Sequence, residues 1–113
     1  MSERDLQKAC FSWFTMQYPD RLLDFAHIAN ERKQHPWQGV EFRRRGVLRG
    51  HPDIHISVPT SQHHGFYIEL KYGYNKLTKE QKQFFERKES QGYKCSVIYS
   101  LDDFILQVQD YLA

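Results

Sequence analysis

Three residues in the middle of the chain, Asp53, Glu69 and Lys71, carry the chemistry that this sequence can offer. Asp53 opens Asp53-Ile54-His55-Ile56-Ser57-Val58, which alternates strictly between polar and apolar, and Glu69 and Lys71 sit in Phe66-Tyr67-Ile68-Glu69-Leu70-Lys71, whose phase is reversed. Such alternation predicts two half-buried strands, and residues two apart on a strand project from one face. Glu69 and Lys71 therefore share a face, away from Phe66, Ile68 and Leu70. If Ile54, Ile56 and Val58 enter the same core, Asp53 joins Glu69 and Lys71 on the opposite side.

Register sharpens this. Residues facing one another in an antiparallel pair have a constant index sum, so pairing Asp53 with Glu69 also pairs Ile54 with Ile68 and Ile56 with Phe66. Every core residue then meets a core residue, although slips of two residues keep the parity. Directly opposite positions have Cβ atoms about 4.5–5.5 Å apart, and like charges there are destabilising. A hard divalent ion such as Mg²⁺, with Mn²⁺ as a substitute, compensates by binding one or two carboxylates while keeping waters and phosphate oxygens in its octahedron. That arrangement suits phosphodiester hydrolysis, with the ion activating a water and the Lys71 ammonium stabilising charge at phosphorus. The competing reading is a solvated sheet face on which Lys71 merely offsets two acids, at about 0–1 kcal/mol per exposed pair.

The elements that must position these residues can be read on either side. Ser2 and Asp5 form a helix-capping pair, and Leu6, Ala9, Cys10, Trp13 and Phe14 follow at helical spacing, so a first helix is expected from Glu3 to about Tyr18, ended by Pro19. Leu22 to Ala29 fits either a strand or a helical turn, Asn30 to Gly39 reads as a loop, and Gly50-His51-Pro52 is a turn signal. Pro59 to Gly65 is too short for a helical crossover, which makes the two strands antiparallel neighbours. Thr78 and Gln81 make a second capping box for a helix running to about Gln91, with Gly92 as its C′ residue. A strand over Lys94 to Tyr99 then pairs in parallel through a right-handed crossover. Ser100 and Asp103 cap a final helix bearing Phe104, Ile105, Val108, Tyr111 and Leu112. The fold class expected is α/β, a mixed sheet flanked by helices.

The bulk properties agree with one domain over 1–113. A chain of 113 residues, 40% hydrophobic and 15% aromatic, can bury one ordinary core. No apolar run approaches the roughly 18–20 residues of a membrane span, and Met1-Ser2-Glu3-Arg4-Asp5 lacks the order of a secretory signal. The expectation is a soluble, intracellular protein, cytoplasmic or nucleoid-associated, with Cys10 and Cys95 as thiols. Net charge is only +2, yet Arg43, Arg44, Arg45 and Arg49 lie within seven residues, which suits a polyanion as well as it suits a solvated loop. Lys76, Lys79 and Lys82 surround the start of the second helix, where free N–H groups also favour phosphate. The six histidines lack the spacing of a zinc site. His51 and His55 read as solvent-facing residues or as groups around the metal, Trp13 as core, and Tyr72 and Tyr74 as either sheet-edge packing or a surface for an unpaired base.

The order Gly50-His51-Pro52-Asp53, then Ile68-Glu69-Leu70-Lys71, then Leu77-Thr78-Lys79-Glu80-Gln81, with Glu3-Arg4-Asp5-Leu6-Gln7 at the start and Gly92 to Tyr99 near the end, resembles the VRR-NUC family of virus-type replication and repair nucleases. That family lies within the PD-(D/E)xK superfamily, and the resemblance implies its restriction-endonuclease-like core. It also implies that Asp53, Glu69 and the Leu70 carbonyl hold Mg²⁺, that Lys71 is the catalytic lysine, that Glu3 completes the metal site, and that Gln81 stands near it. Glu3 can equally be a first-turn acid complementing the helix dipole, and Gln81 a capping partner. The expected activity is a DNA endonuclease, viral or phage-type, acting as a homodimer on branched DNA such as four-way junctions. A non-cleaving DNA-binding module, and a nuclease of RNA or single strands, fit the same residues.

Overall fold

The computed structural model describes residues 2–28, 40–41, 43–46 and 50–113. Arg49, Trp37 and the expected loop over Asn30 to Gly39 lie outside these residues.

Helix α1 spans Glu3–Gln17 and is capped as its sequence predicts: Ser2 Oγ accepts from the Asp5 amide at 3.2 Å, while the Asp5 carboxylate accepts from the Ser2 amide at 3.0 Å. Leu6, Cys10 and Phe14 form its buried stripe. Pro19 cannot continue the α-helix hydrogen-bond ladder, and a 3-10 helix over Pro19–Asp24 leads into β1, Phe25–His27. Within the ambiguous segment, Leu22 to Asp24 belong to the 3-10 helix and Phe25 to His27 to β1.

Strand β2 is Ile54–Ile56 and β3 is Phe66–Leu70, followed by α2 at Lys79–Ser90, β4 at Lys94–Ile98 and α3 at Leu101–Leu112. The strands form one sheet in the order β1-β2-β3-β4, antiparallel from β1 to β3 and parallel between β3 and β4. Ile54 pairs with Ile68 and Ile56 with Phe66, the register that core-to-core pairing predicts. Each strand is a residue or more shorter than its alternating segment, and Ser57 leaves the β2–β3 ladder to donate to the Asp24 carbonyl at 2.9 Å.

Two layers cover the sheet. On one side Ile54, Ile56, Phe66, Ile68 and Leu70 meet Leu6, Cys10 and Phe14 of α1 and Phe104, Val108 and Tyr111 of α3 in a single apolar core, with Trp13 packed against it. On the other side, Tyr67 lies edge-on to Phe84 of α2 with ring centroids 5.0 Å apart. That second cover corrects one expectation. His55 does not face solvent but stacks flat on Tyr67, 4.2 Å between centroids and 8° between planes, and His51 packs on Phe84 at 4.9 Å. The physical cause is α2, whose Phe84 finds its partners, Tyr67 and His51, on the face that carries the polar residues of the alternation.

Candidate active site

Beside α2 that covered face holds the ionisable cluster. Glu69 is 3% exposed and Lys71 8% exposed, the two buried charged residues among those described. Burying charge this deeply is costly unless the groups are paired and hydrogen-bonded, which rules out the solvated-face reading of Glu69 and Lys71.

Asp53 sits where the turn Gly50-His51-Pro52 enters β2, and its Oδ2 accepts from the Leu70 amide at 2.8 Å. The bond ties the start of β2 to the strand carrying Glu69 and Lys71. Gly50 makes the turn possible: its φ is +88°, and a Cβ there would lie 2.6 Å from the Glu80 backbone carbon and oxygen. Only glycine tolerates both the left-handed backbone and that approach to the first turn of α2. Pro52, fully buried, follows.

Helix α2 in turn delivers Gln81. Thr78 Oγ1 accepts from the Gln81 amide at 3.2 Å, and Gln81 Oε1 accepts from the Thr78 amide at 2.8 Å. The same side chain turns its Nε2 outward to donate to Glu69 Oε2 at 3.0 Å. Capping and site contact were alternative roles in the sequence; one side chain fills both.

Lys71 Nζ stands 3.4 Å from that same Oε2. Glu69 Oε2 therefore takes a cation and an amide, while Oε1 is buried and receives no hydrogen-bond donor. Burial, and secondarily the Asp53 charge, push the Glu69 acid up to about 8 against the opposing pull of Lys71. Burial also raises Asp53, partly offset by the Leu70 amide and by His27. Both shifts run towards the protonated form, so without a divalent cation the acid pair favours holding a proton. A buried carboxyl with an unsatisfied oxygen beside a half-buried one forms a donor set that fits a hard divalent ion.

The other expected ligands and contacts are placed differently. Among the described residues, no three of His, Cys, Asp and Glu gather closely enough to hold an ion by themselves. Glu3 is exposed in the first turn of α1, a position that complements the helix dipole. Arg43 and Arg44 are exposed on a helical turn, and Arg45 is exposed with its Nε 3.9 Å from Glu41. Lys76, Lys79 and Lys82 are exposed around the start of α2.

One residue beside this cluster, His27, was not anticipated. His27 Nδ1 lies 3.1 Å from the Asp53 carbonyl, brought there by β1, whose three residues give no alternation to read. Gln7, one turn after Glu3 on α1, has a buried Oε1 without a hydrogen-bond partner.

A scan of the sequence against family models finds no match, and no curated protein matches it. Among solved structures, a chain described as a VRR_NUC domain protein superposes with a TM-score of 0.86 at 26% identity, over 99% of this chain and 88% of that one. With a mixed four-stranded sheet flanked by helices, and the acids and lysine of the sequence pattern brought together on it, the chain is similar to this VRR_NUC domain protein and has a PD-(D/E)xK-type nuclease fold.

Proposed function

We propose that this protein is a metal-dependent endonuclease that hydrolyses phosphodiester bonds in DNA, with branched duplexes such as four-way junctions as its substrates. One observation carries the reading: a nearly inaccessible glutamate with an unsatisfied oxygen, beside a second carboxyl and within 3.4 Å of a buried lysine. A purely structural site would leave that oxygen unmet at a cost of about 1–3 kcal/mol.

Asp53, Glu69 and the Leu70 carbonyl are the proposed ligands of Mg²⁺, with Mn²⁺ able to replace it. Glu3 is left out of this set. The chemistry such an ion supplies when bound is polarisation of the scissile phosphate and activation of water at neutral pH. The protein's own groups do the rest. The Leu70 amide fixes Asp53, and Gln81 together with Lys71 engages Glu69 Oε2, so that Oε1 is left for the ion. Lys71, held in place by Glu69, orients the attacking water and donates to the oxygens on which charge develops at phosphorus. Displacing the carboxyl proton is part of loading the site.

Arg43, Arg44, Arg45 and Arg49, with Lys76 and Lys79, are proposed to grip the DNA backbone, which makes affinity salt-dependent and little sensitive to sequence. Paired incisions in a four-way junction need two equivalent sites related by a twofold axis, so the acting species is proposed to be a homodimer.

The test is incubation of the purified protein with labelled four-way and linear DNA, with and without Mg²⁺ or Mn²⁺. The junction is expected to be nicked only when metal is present, and the Lys71→Ala protein to be slower by about 10²–10³-fold, the scale of losing one preorganised donor. Binding that persists in chelator without any cleavage would identify a non-cutting module instead.

A further inference from the structure

Directly after Lys71 the chain makes a tight turn that the cleavage chemistry does not use. Asn75 donates its amide to the Tyr72 carbonyl at 3.3 Å, and Gly73 takes the left-handed conformation with φ +65°. A second bond locks the turn from outside, since Tyr99, just beyond the end of β4, donates its hydroxyl to the Asn75 carbonyl at 2.8 Å. The residues presented by this clamped turn are aromatic. Tyr72 is 45% exposed and Tyr74 is 100% exposed, and neither ring touches another aromatic ring among the described residues. Tyr74, fully exposed, is therefore not packed on the sheet edge.

Their neighbourhood is that of the site. Tyr74 is three residues from Lys71, so their Cα atoms are at most roughly 11 Å apart, about three base steps at 3.4 Å each. Lys76 and Lys79, both exposed, follow immediately. Cations that track a phosphate chain, interleaved with exposed aromatic rings, are the composition of a surface that binds unpaired nucleotides: the backbone is held by charge and the base stacks on a ring, whatever the base. A base inside an intact duplex offers no free face, so such a ring discriminates between paired and unpaired DNA.

We propose that Tyr74, with Tyr72 beside it, is the stacking surface for an unpaired nucleobase next to the scissile phosphate, and so makes the nuclease selective for branched or bulged DNA. This rests on the nuclease reading and names how its substrate is chosen. The rigid turn matters to it, because a preset ring loses little conformational freedom when a base settles on it.

The experiment uses the full chain and a duplex with one unpaired 2-aminopurine, compared with the same duplex fully paired. Binding is followed by anisotropy, stacking by quenching of the 2-aminopurine, and cleavage of both DNAs is measured with Mg²⁺. The wild type is expected to quench the unpaired base and to prefer the bulged DNA. In Tyr74→Ala the quench should disappear and the preference fall by about 10-fold, the scale of one aromatic–base stack, with cleavage of paired DNA unchanged. Tyr74→Phe should behave as wild type. Equal quenching and equal preference in wild type, Tyr74→Ala and the Tyr72→Ala/Tyr74→Ala double variant would overturn the proposal while leaving the nuclease standing. Tyrosine-dependent quenching without cleavage would sink the nuclease and keep the stacking surface, and no binding to either DNA would sink both.

Discussion

The Asp53 carboxylate accepts the Leu70 amide at 2.8 Å, so a turn and a strand 17 residues apart are fastened at the point where the two acids meet. The bond holds the Asp53 carboxyl beside Glu69, where burial raises both acids and the Asp53 charge raises Glu69 further. On the proposed reading, metal loading and stability are linked at this pair.

The first consequence concerns pH. The Glu69 acid is raised from 4.5 to about 8, chiefly by burial. A group that binds its proton more tightly folded than unfolded stabilises the fold fully below its unfolded pKa and loses that contribution as pH rises through the folded one. Metal-free stability should thus decline between about pH 4.5 and pH 8, and the gain from Mg²⁺ should grow over the same interval, because loading displaces the proton. Denaturation midpoints at pH 6 and pH 8.5, with and without Mg²⁺, check both trends; metal-free stability that rises with pH would show that Glu69 is ionised in the fold.

Gln81 joins the cap of α2 to the acid pair, and two substitutions separate those roles. Gln81→Ala removes the acceptor for the Thr78 amide and the donor to Glu69, with an expected loss of about 1–3 kcal/mol. Gln81→Glu preserves the capping box but sets a third carboxyl against Glu69. Its metal-free stability should match wild type near pH 5 and fall below it at pH 8.5, with the gap narrowed by Mg²⁺. Chemical denaturation of the three proteins at both pH values decides, and equal stability of Gln81→Glu and wild type throughout would detach Gln81 from the site.

Gly50 makes a sharper structural prediction. A methyl group there meets the Glu80 backbone at 2.6 Å, on a residue whose φ already disfavours any side chain. Gly50→Ala should cost about 1–3 kcal/mol of stability and, by pushing the first turn of α2 away from the Asp53 turn, reduce cleavage even where the protein remains folded. Gly46, also at positive φ but with open space around it, is the control: Gly46→Ala should leave cleavage intact. Thermal melts and nicking rates for the two variants test this, and equal effects would mean that the approach to Glu80 carries no special weight.

Much of the site was legible because parity and linker length constrain it. Ile54 opposite Ile68 and Ile56 opposite Phe66 follow from matching apolar residues across an antiparallel pair, and the direction of β4 follows from having a helix between it and β3. Two features escaped for physical reasons. Strand β1 is a three-residue edge whose Phe25 packs on the rings of Phe11 and Phe14, so its environment comes from α1 and not from any alternation of its own. The closed character of the face carrying Glu69 and Lys71 escaped as well, since polar residues at every second position look the same whether water or a helix lies over them. Phe84 of α2 held that information, but only in combination with the strand it covers. His51 and His55 were misplaced for this reason, and His27 went unnoticed with β1.

The central claim is that Asp53 and Glu69 bind one divalent ion between them. Calorimetric titration of Mn²⁺ into the wild type and the Asp53→Asn, Glu69→Gln and Lys71→Ala proteins at pH 8 tests it directly. The account predicts one site per chain in the wild type, its loss in both carboxyl variants, and its retention in Lys71→Ala, where cleavage but not loading should fail. Mn²⁺ binding of wild-type stoichiometry and affinity in Asp53→Asn and Glu69→Gln would contradict it.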